Sequence, residues 1–143
     1  MNIVEINHHN IYLLLQFLNN KLPNSFRYFN SRNPLTSIHN HILTILYLDN
    51  DKPFGYAHID FDNHIYWFGI CILDNYQSKG YGKKLLEYIL NNDKIKNLNS
   101  IYLTVDKNNE KAINLYKKYG FIIDDIYHNN NPNSIFFRMY LQK

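Results

Sequence analysis

Apolar residues recur along this chain at two spacings, and each switch between them marks a change of element. Asn2 to Ile6 forms a first strand, whereas between His8 and Asn20 the residues Ile11, Leu14, Leu15 and Leu18 return to one helical face. Pro23 ends that helix. Ser25 to Thr36 carries Phe26, Tyr28 and Phe29 but also Asn33-Pro34, and reads as a short helix or an irregular segment. Three strands are predicted next, His41 to Leu48, Phe54 to Phe61 and His64 to Leu73. The polar clusters Asp49 to Pro53 and Asp62-Asn63 are the turns between them, which makes these strands antiparallel neighbours.

Past Leu73 the spacing becomes helical again, with Leu85, Leu86, Ile89 and Leu90 on one face of Lys83 to Leu90, until Asn91 to Asn99 breaks it. Ser100 to Val105 is the next strand. Asp106 to Asn109 offers N-caps for a helix Glu110 to Tyr119, which Gly120 terminates before the strand Phe121 to Tyr127. His128 to Asn133 is a polar loop and Ser134 to Leu141 a last strand. The order β-α-(α)-β-β-β-α-β-α-β-β is that of an α+β chain, a mixed sheet with helices on its faces. With no internal repeat or long linker, residues 1–143 read as one domain.

A chain of 143 residues that is 45% hydrophobic can bury a core without disulfide or metal staples. Its single cysteine, Cys71, has no internal partner, Met1 to Asn10 lacks the apolar centre of a secretory signal, and no apolar run reaches the ~20 residues of a membrane helix. These features predict a soluble, cytoplasmic protein with no membrane partner. A net charge of +3 favours anionic ligands. The lysines are scattered except for Lys79, Lys83 and Lys84, and without a basic aromatic platform no nucleic acid is expected. His8-His9 and His39-x-His41 lie in different elements and no zinc spacing is visible, so no metal is expected.

Those three lysines surround Gln77-Ser78-Lys79-Gly80-Tyr81-Gly82, which joins an apolar strand to the start of a helix. Gly80 and Gly82 have no side chain to hold a ligand off, and the first turn of the following helix adds unpaired NH groups and the positive end of its dipole. Such a turn suits a pyrophosphate.

This stretch and a second one resemble, together, the GNAT superfamily of acyl-CoA N-acyltransferases. The family's acyl-CoA loop reads Gln/Arg-x-x-Gly-x-Gly/Ala, which Gln77 to Gly82 fits. A further pattern, Asn-x-x-Ala-x-x-Leu-Tyr-x-x-x-Gly-Phe, is matched by Asn109, Ala112, Leu115, Tyr116, Gly120 and Phe121. The resemblance implies the GNAT fold, a mostly antiparallel sheet of six to seven strands with helices on both faces, in which the fourth and fifth strands splay. It also implies acetyl-CoA as donor substrate, direct acetyl transfer to a primary amine in a ternary complex, and a monomer or homodimer. The acceptor, a small molecule or a peptide amine, is left open.

By the same resemblance the NH of Ile70 meets the thioester carbonyl, and the backbone from Ile70 through Cys71 to Ile72 runs along pantetheine. Gln77, Ser78, Lys79, Gly80, Tyr81 and Gly82 hold the pyrophosphate. Lys79, Lys83 or Lys84 supplies charge nearby, or is simply a solvated helix face. Asn109 bonds the pantetheine region or begins a helix. Tyr116 gives a proton to the departing thiolate, its phenol pKa near ~10 keeping it protonated at neutral pH, unless it only packs. Cys71 is not read as a nucleophile, because alternation turns its side chain away from the face of Ile70 and Ile72.

One departure concerns the general base. Where many family members carry a glutamate, four residues before Ile70, this chain has Tyr66. His58, His64 or a water held by Tyr66 are the candidates, and a tight Asp62-Asn63 turn would set His58 opposite Tyr66 or Trp67. A second small departure is Asp74, where proline is frequent. The missing glutamate also leaves a rival reading, a non-catalytic acyl-CoA-binding or interaction domain of the same fold.

Overall fold

The computed structural model of the chain describes residues 1–128 and 134–143, so the expected loop lies outside the described residues from position 129 onward. Among the described residues seven strands form one sheet: β1 (Asn2–Glu5), β2 (His41–Asp49), β3 (Lys52–Asp62), β4 (Ile65–Ile72), β5 (Ser100–Asp106), β6 (Ile122–His128) and β7 (Ile135–Gln142). Their spatial order is β1-β2-β3-β4-β5-β7-β6, antiparallel except for β4 beside β5. Helices α1 (Tyr12–Leu18), α2 (Pro34–Ser37), α3 (Tyr81–Asn91), α4 (Asp93–Lys96) and α5 (Glu110–Lys118) complete it. The irregular stretch before β2 resolves into α2, which begins at Pro34 because the Asn33 side chain accepts from the Leu35 NH at 3.0 Å.

Helices cover both faces of the middle strands, which explains why β2 and β3 are buried almost continuously and do not alternate. On one face Leu14 and Phe17 of α1 pack on Leu46, Leu48, Tyr56 and Cys71. On the other, Leu85, Leu86 and Ile89 of α3 and Ile113 and Tyr116 of α5 pack on Ile45, Ala57, Ile59 and Phe68. No helix of the described residues is long and apolar enough to cross a membrane.

Both hairpins of the meander turn on pairs of left-handed residues, Asn50-Asp51 (φ 48° and 68°) and Asn63-His64 (φ 51° and 65°). Two positive φ angles mark the tight hairpin turn whose twist matches the strands. The second turn is therefore Asn63-His64 and not the expected Asp62-Asn63, since Asp62 still pairs with Ile65. This corrects the expected register: His58 lies opposite Gly69, Asp60 opposite Trp67 and Phe61 opposite Tyr66. Because faces alternate, His58 and Asp60 point to the α1 side of the sheet and Tyr66 to the α5 side.

Candidate active site

A gap opens where the sheet changes from antiparallel to parallel. β4 and β5 are joined by a single bridge, Trp67 to Tyr102. The Leu73 NH donates to the Phe54 carbonyl at 2.9 Å, so by alternation the NH groups of Cys71 and Gly69 also turn toward β3, and those of Ile70 and Ile72 toward β5. Past the bridge, Ile70 and Ile72 thus aim backbone donors into the gap. A cleft of about 740 Å³ passes through it, lined by Phe68, Ile70, Asn109 and Tyr116 from one side of the sheet and by Tyr28, His58, Asp60 and Trp67 from the other.

Next to the gap, the glycine turn leads into α3. Gly80 caps the helix at φ 85°, where a side chain would be strained, and a Cβ placed there would meet nothing within 4 Å. The helix N-terminus therefore faces open space. Gln77 is exposed, but its side chain is tied down: its Nε2 donates to the Ile72 carbonyl at 3.0 Å and to Asp74 at 3.3 Å, bracing the turn against β4. Lys79 is turned back onto the Asn75 carbonyl at 3.2 Å, while Lys83 and Lys84 are exposed on the helix. The cation that reaches across the turn is Lys111 of α5, whose Nζ donates to the Ser78 hydroxyl at 2.8 Å. Sequence reading missed it because the contact joins two distant helices.

The start of α5 is built by Asn109, whose Oδ1 accepts from the Ala112 NH at 3.3 Å, so this residue caps the helix and lines the cleft at once. At its end the NH of Phe121 bonds the Tyr116 carbonyl and that of Gly120 the Lys117 carbonyl, both at 3.1 Å, a reversal that folds the chain back under the last turn. The Phe121 ring thereby packs 5.8 Å from that of Tyr116, with Phe68 on another side at 6.1 Å. Burial raises the Tyr116 phenol above its ordinary value, so it is protonated at neutral pH.

Of the expected base candidates, Tyr66 rests beside Phe61 on the α5 side and is not among the cleft-lining residues, and His64 sits exposed in the hairpin turn. His58 does line the cleft, 1% exposed, its ring so close over Gly69 that a Cβ there would come within 2.5 Å of it. Burial, with His41 and Arg32 nearby, holds its pKa well below the ordinary value. The Tyr56 hydroxyl bonds its Nδ1 at 2.6 Å.

Asp60, passed over in the sequence, is the acidic group beside it. It is 6% exposed, and its Oδ2 accepts from the Tyr28 hydroxyl at 2.7 Å. That hydroxyl lies 2.8 Å from His41 Nε2, and His41 Nδ1 lies 2.7 Å from the Thr44 hydroxyl. Since Tyr28 has one proton and gives it to Asp60, His41 Nε2 must be the donor to Tyr28, and Thr44 the donor to Nδ1. Burial lowers the His41 pKa to about 4, in keeping with this neutral ring. His41, His58 and Asp60 present ligand-type atoms within 4.8 Å of one another, but the Tyr28 phenol already stands bonded between His41 and Asp60 and closes the cluster to a cation. Asp60 shares the inward phase of β3 with Tyr56 and the polar His58, so alternation along the strand did not single it out.

Residues 11–121 match the model of the acetyltransferase (GNAT) family. Over 67 residues, 43% of the chain, the sequence is 40% identical to alpha-tubulin N-acetyltransferase of Schistosoma japonicum, covering 24% of that protein. Over 66 residues, again 43% of the chain, it is 38% identical to spermidine N(1)-acetyltransferase of Escherichia coli, covering 36% of it. The chain thus spans roughly a quarter to a third of these relatives. Among solved structures, the ribosomal-protein-alanine N-acetyltransferase of Brucella melitensis superposes with a TM-score of 0.78 at 13% identity over 100% of both chains. The ribosomal-protein-S18-alanine N-acetyltransferase of E. coli gives 0.75 at 20% identity over 99% of this chain and 92% of the other. At these identities the likeness is one of fold.

Proposed function

The chain belongs to the acetyltransferase (GNAT) family, and on that premise we propose that it transfers an acetyl group from acetyl-CoA directly to a primary amine. The observation that carries the reading is the gap beyond the Trp67–Tyr102 bridge, where the NH groups of Ile70 and Ile72 face the cleft beside an open helix N-terminus. The donor set fits the donor substrate along its length: backbone NH groups for an amide-bearing chain, then the turn at Gly80 with Lys111 and Lys79 close by for a pyrophosphate.

In this reading the Ile70 NH donates to the thioester oxygen as negative charge develops there, an effect commonly worth ~3 kcal/mol. The amine nitrogen bonds to the carbonyl carbon, the carbon–sulfur bond breaks, and Tyr116 protonates the sulfur. Of the two protons that an alkylammonium loses on becoming an amide, one restores Tyr116 and the other leaves through the acceptor side. Asn109 holds the start of α5, and with it Tyr116, against the cleft.

The named relatives act on spermidine, α-tubulin and ribosomal-protein alanine, and these define a panel: spermidine, a lysine-bearing peptide and a peptide with N-terminal alanine. Free thiol and acetylated amine are followed together with purified protein and acetyl-CoA. Amine-dependent thiol release with matching acetylated product is expected. Tight coenzyme A binding with only slow, amine-independent hydrolysis would instead support the rival reading, suggested by Tyr66 in place of glutamate, of a domain that binds acyl-CoA without transfer.

A further inference from the structure

We propose that Asp60 of β3 takes the acceptor's ammonium and removes its proton, serving as the general base from the opposite side of the gap to Tyr116. The inference rests on the acetyl-transfer reading and supplies the base which that reading leaves without an owner.

Every donor in the network around this carboxylate converges on one of its oxygens. Thr44 donates to His41, His41 to Tyr28 and Tyr28 to Asp60 Oδ2, and His58 Nε2 stands 3.9 Å from the same Oδ2. Oδ1 is buried and, among the described residues, has no hydrogen-bond partner. A buried carboxylate oxygen without a donor is costly in a folded protein, and a donor brought by a ligand removes the cost. Asp60 also lines the cleft that passes between β4 and β5, on the face covered by α1 and residues 25–33, away from the turn at Gly80. An alkylammonium entering there offers the NH donors that Oδ1 lacks. The rings of Tyr28 and Trp67 flank its path.

The step balances simply. The ammonium gives one proton to the Asp60 carboxylate, forming a carboxylic acid and a neutral amine, and the acid returns that proton to solvent after transfer. The groups facing the carboxylate are Tyr28 and Arg32 from the segment before α2, His41 from β2, and His58 and Asp62 from its own strand. Burial and Asp62 raise its pKa, bringing the base closer to its task, while the Tyr28 hydrogen bond and Arg32 oppose the rise. His58 and His41 stay neutral at working pH and serve as positioning residues.

The test is the pH profile of kcat/KM with the best amine of the panel. Asp60→Asn is expected to lower kcat/KM about 100-fold and to abolish the acidic limb, with coenzyme A affinity by calorimetry unchanged. Tyr28→Phe removes the hydrogen bond that lowers the Asp60 pKa and is expected to move the acidic limb to higher pH. A second readout needs no turnover. In protein carrying ¹³C-labelled aspartate carboxyls, the signal absent from Asp60→Asn should titrate above the usual carboxyl range and shift downward when spermidine is added. Retention of the acidic limb and of kcat/KM within threefold in Asp60→Asn overturns the proposal, as does a limb unmoved by Tyr28→Phe or a carboxyl signal that ignores spermidine. If Asp60→Asn does not fold, the position of the acidic limb in Tyr28→Phe against wild type still decides. Wild-type protein that acetylates no amine at all overturns the acetyl-transfer reading itself, and the base with it.

Discussion

At the residue scale, burial sets the protonation states, raising the acidic groups on both sides of the gap and lowering His41 and His58. Tyr116, buried by Phe68 and Phe121, holds its proton more tightly than a free phenol, which keeps it protonated before transfer but makes it a weaker acid than a free phenol. Tyr116→Phe is expected to lower kcat about 100-fold and to leave coenzyme A affinity intact, measured by steady-state rates and calorimetry; undiminished kcat across the pH range removes the assignment. His41 responds the other way, its pKa depressed from 6.5 to about 4. A histidine whose folded value lies below its unfolded one stabilises fully above the unfolded pKa and loses that contribution as pH falls toward the folded one. His41 alone thus contributes about 3 kcal/mol that fades between pH ~6.5 and ~4. His58 acts in the same direction, whereas Asp60, raised, blunts the slope. The urea midpoint should therefore be flat above pH ~7 and fall steeply below ~6, and His41→Gln should flatten that fall; equal midpoints at pH 7 and 4.5 would contradict it.

Elements determine which of these residues can meet. The glycine turn shows how one composition produces two different requirements: Gly80 lies at φ 85° before α3, whereas Gly82 lies within the helix, its would-be Cβ an ordinary 3.9 Å from Ile70. Gly80→Ala is expected to cost about 1 kcal/mol from left-handed strain and to weaken coenzyme A binding, because relief of that strain turns the NH groups of the turn. Gly82→Ala should instead gain about 0.5–1 kcal/mol by helix propensity with little effect on binding. Thermal melts and calorimetry on the pair check both signs, and equal effects would mean that the turn is not organised by Gly80. The strands and α3 were legible in the sequence because their apolar periods are long and bounded by turn residues. The hairpin register was less so. Asp62-Asn63 and Asn63-His64 are both plausible tight turns, and only the paired left-handed conformations of the latter put His58 over Gly69 and Asp60 opposite Trp67. Asp60 was illegible for a related reason: its partners Tyr28 and His41 come from separate segments, and alternation along β3 cannot reveal an unpartnered oxygen.

For the whole molecule, the consequence is that the two substrates of a transfer need not share an entrance. The turn at Gly80 and Tyr116 lie on the face of α3 and α5, Asp60 and Tyr28 on the face of α1, and the cleft between β4 and β5 joins them. Donor and acceptor bound in these two half-sites would face each other through one opening, an arrangement that calls for direct attack and no acetylated enzyme under the proposed acetyl transfer. Cys71, the residue that could carry an acetyl group by thioester exchange, is unsuited to it. Its side chain packs with Tyr56, Leu14 and Phe17 on the α1 face, and burial with Asp74 nearby pushes its thiol up to about 12, so little thiolate exists at neutral pH. Initial rates with both substrates varied should therefore give intersecting double-reciprocal lines, and mixing the protein with acetyl-CoA alone should leave its intact mass unchanged. Parallel lines with an acetyl adduct on Cys71 would mean that the acetyl group waits on the enzyme, and that the opening through the sheet is not where donor and acceptor meet.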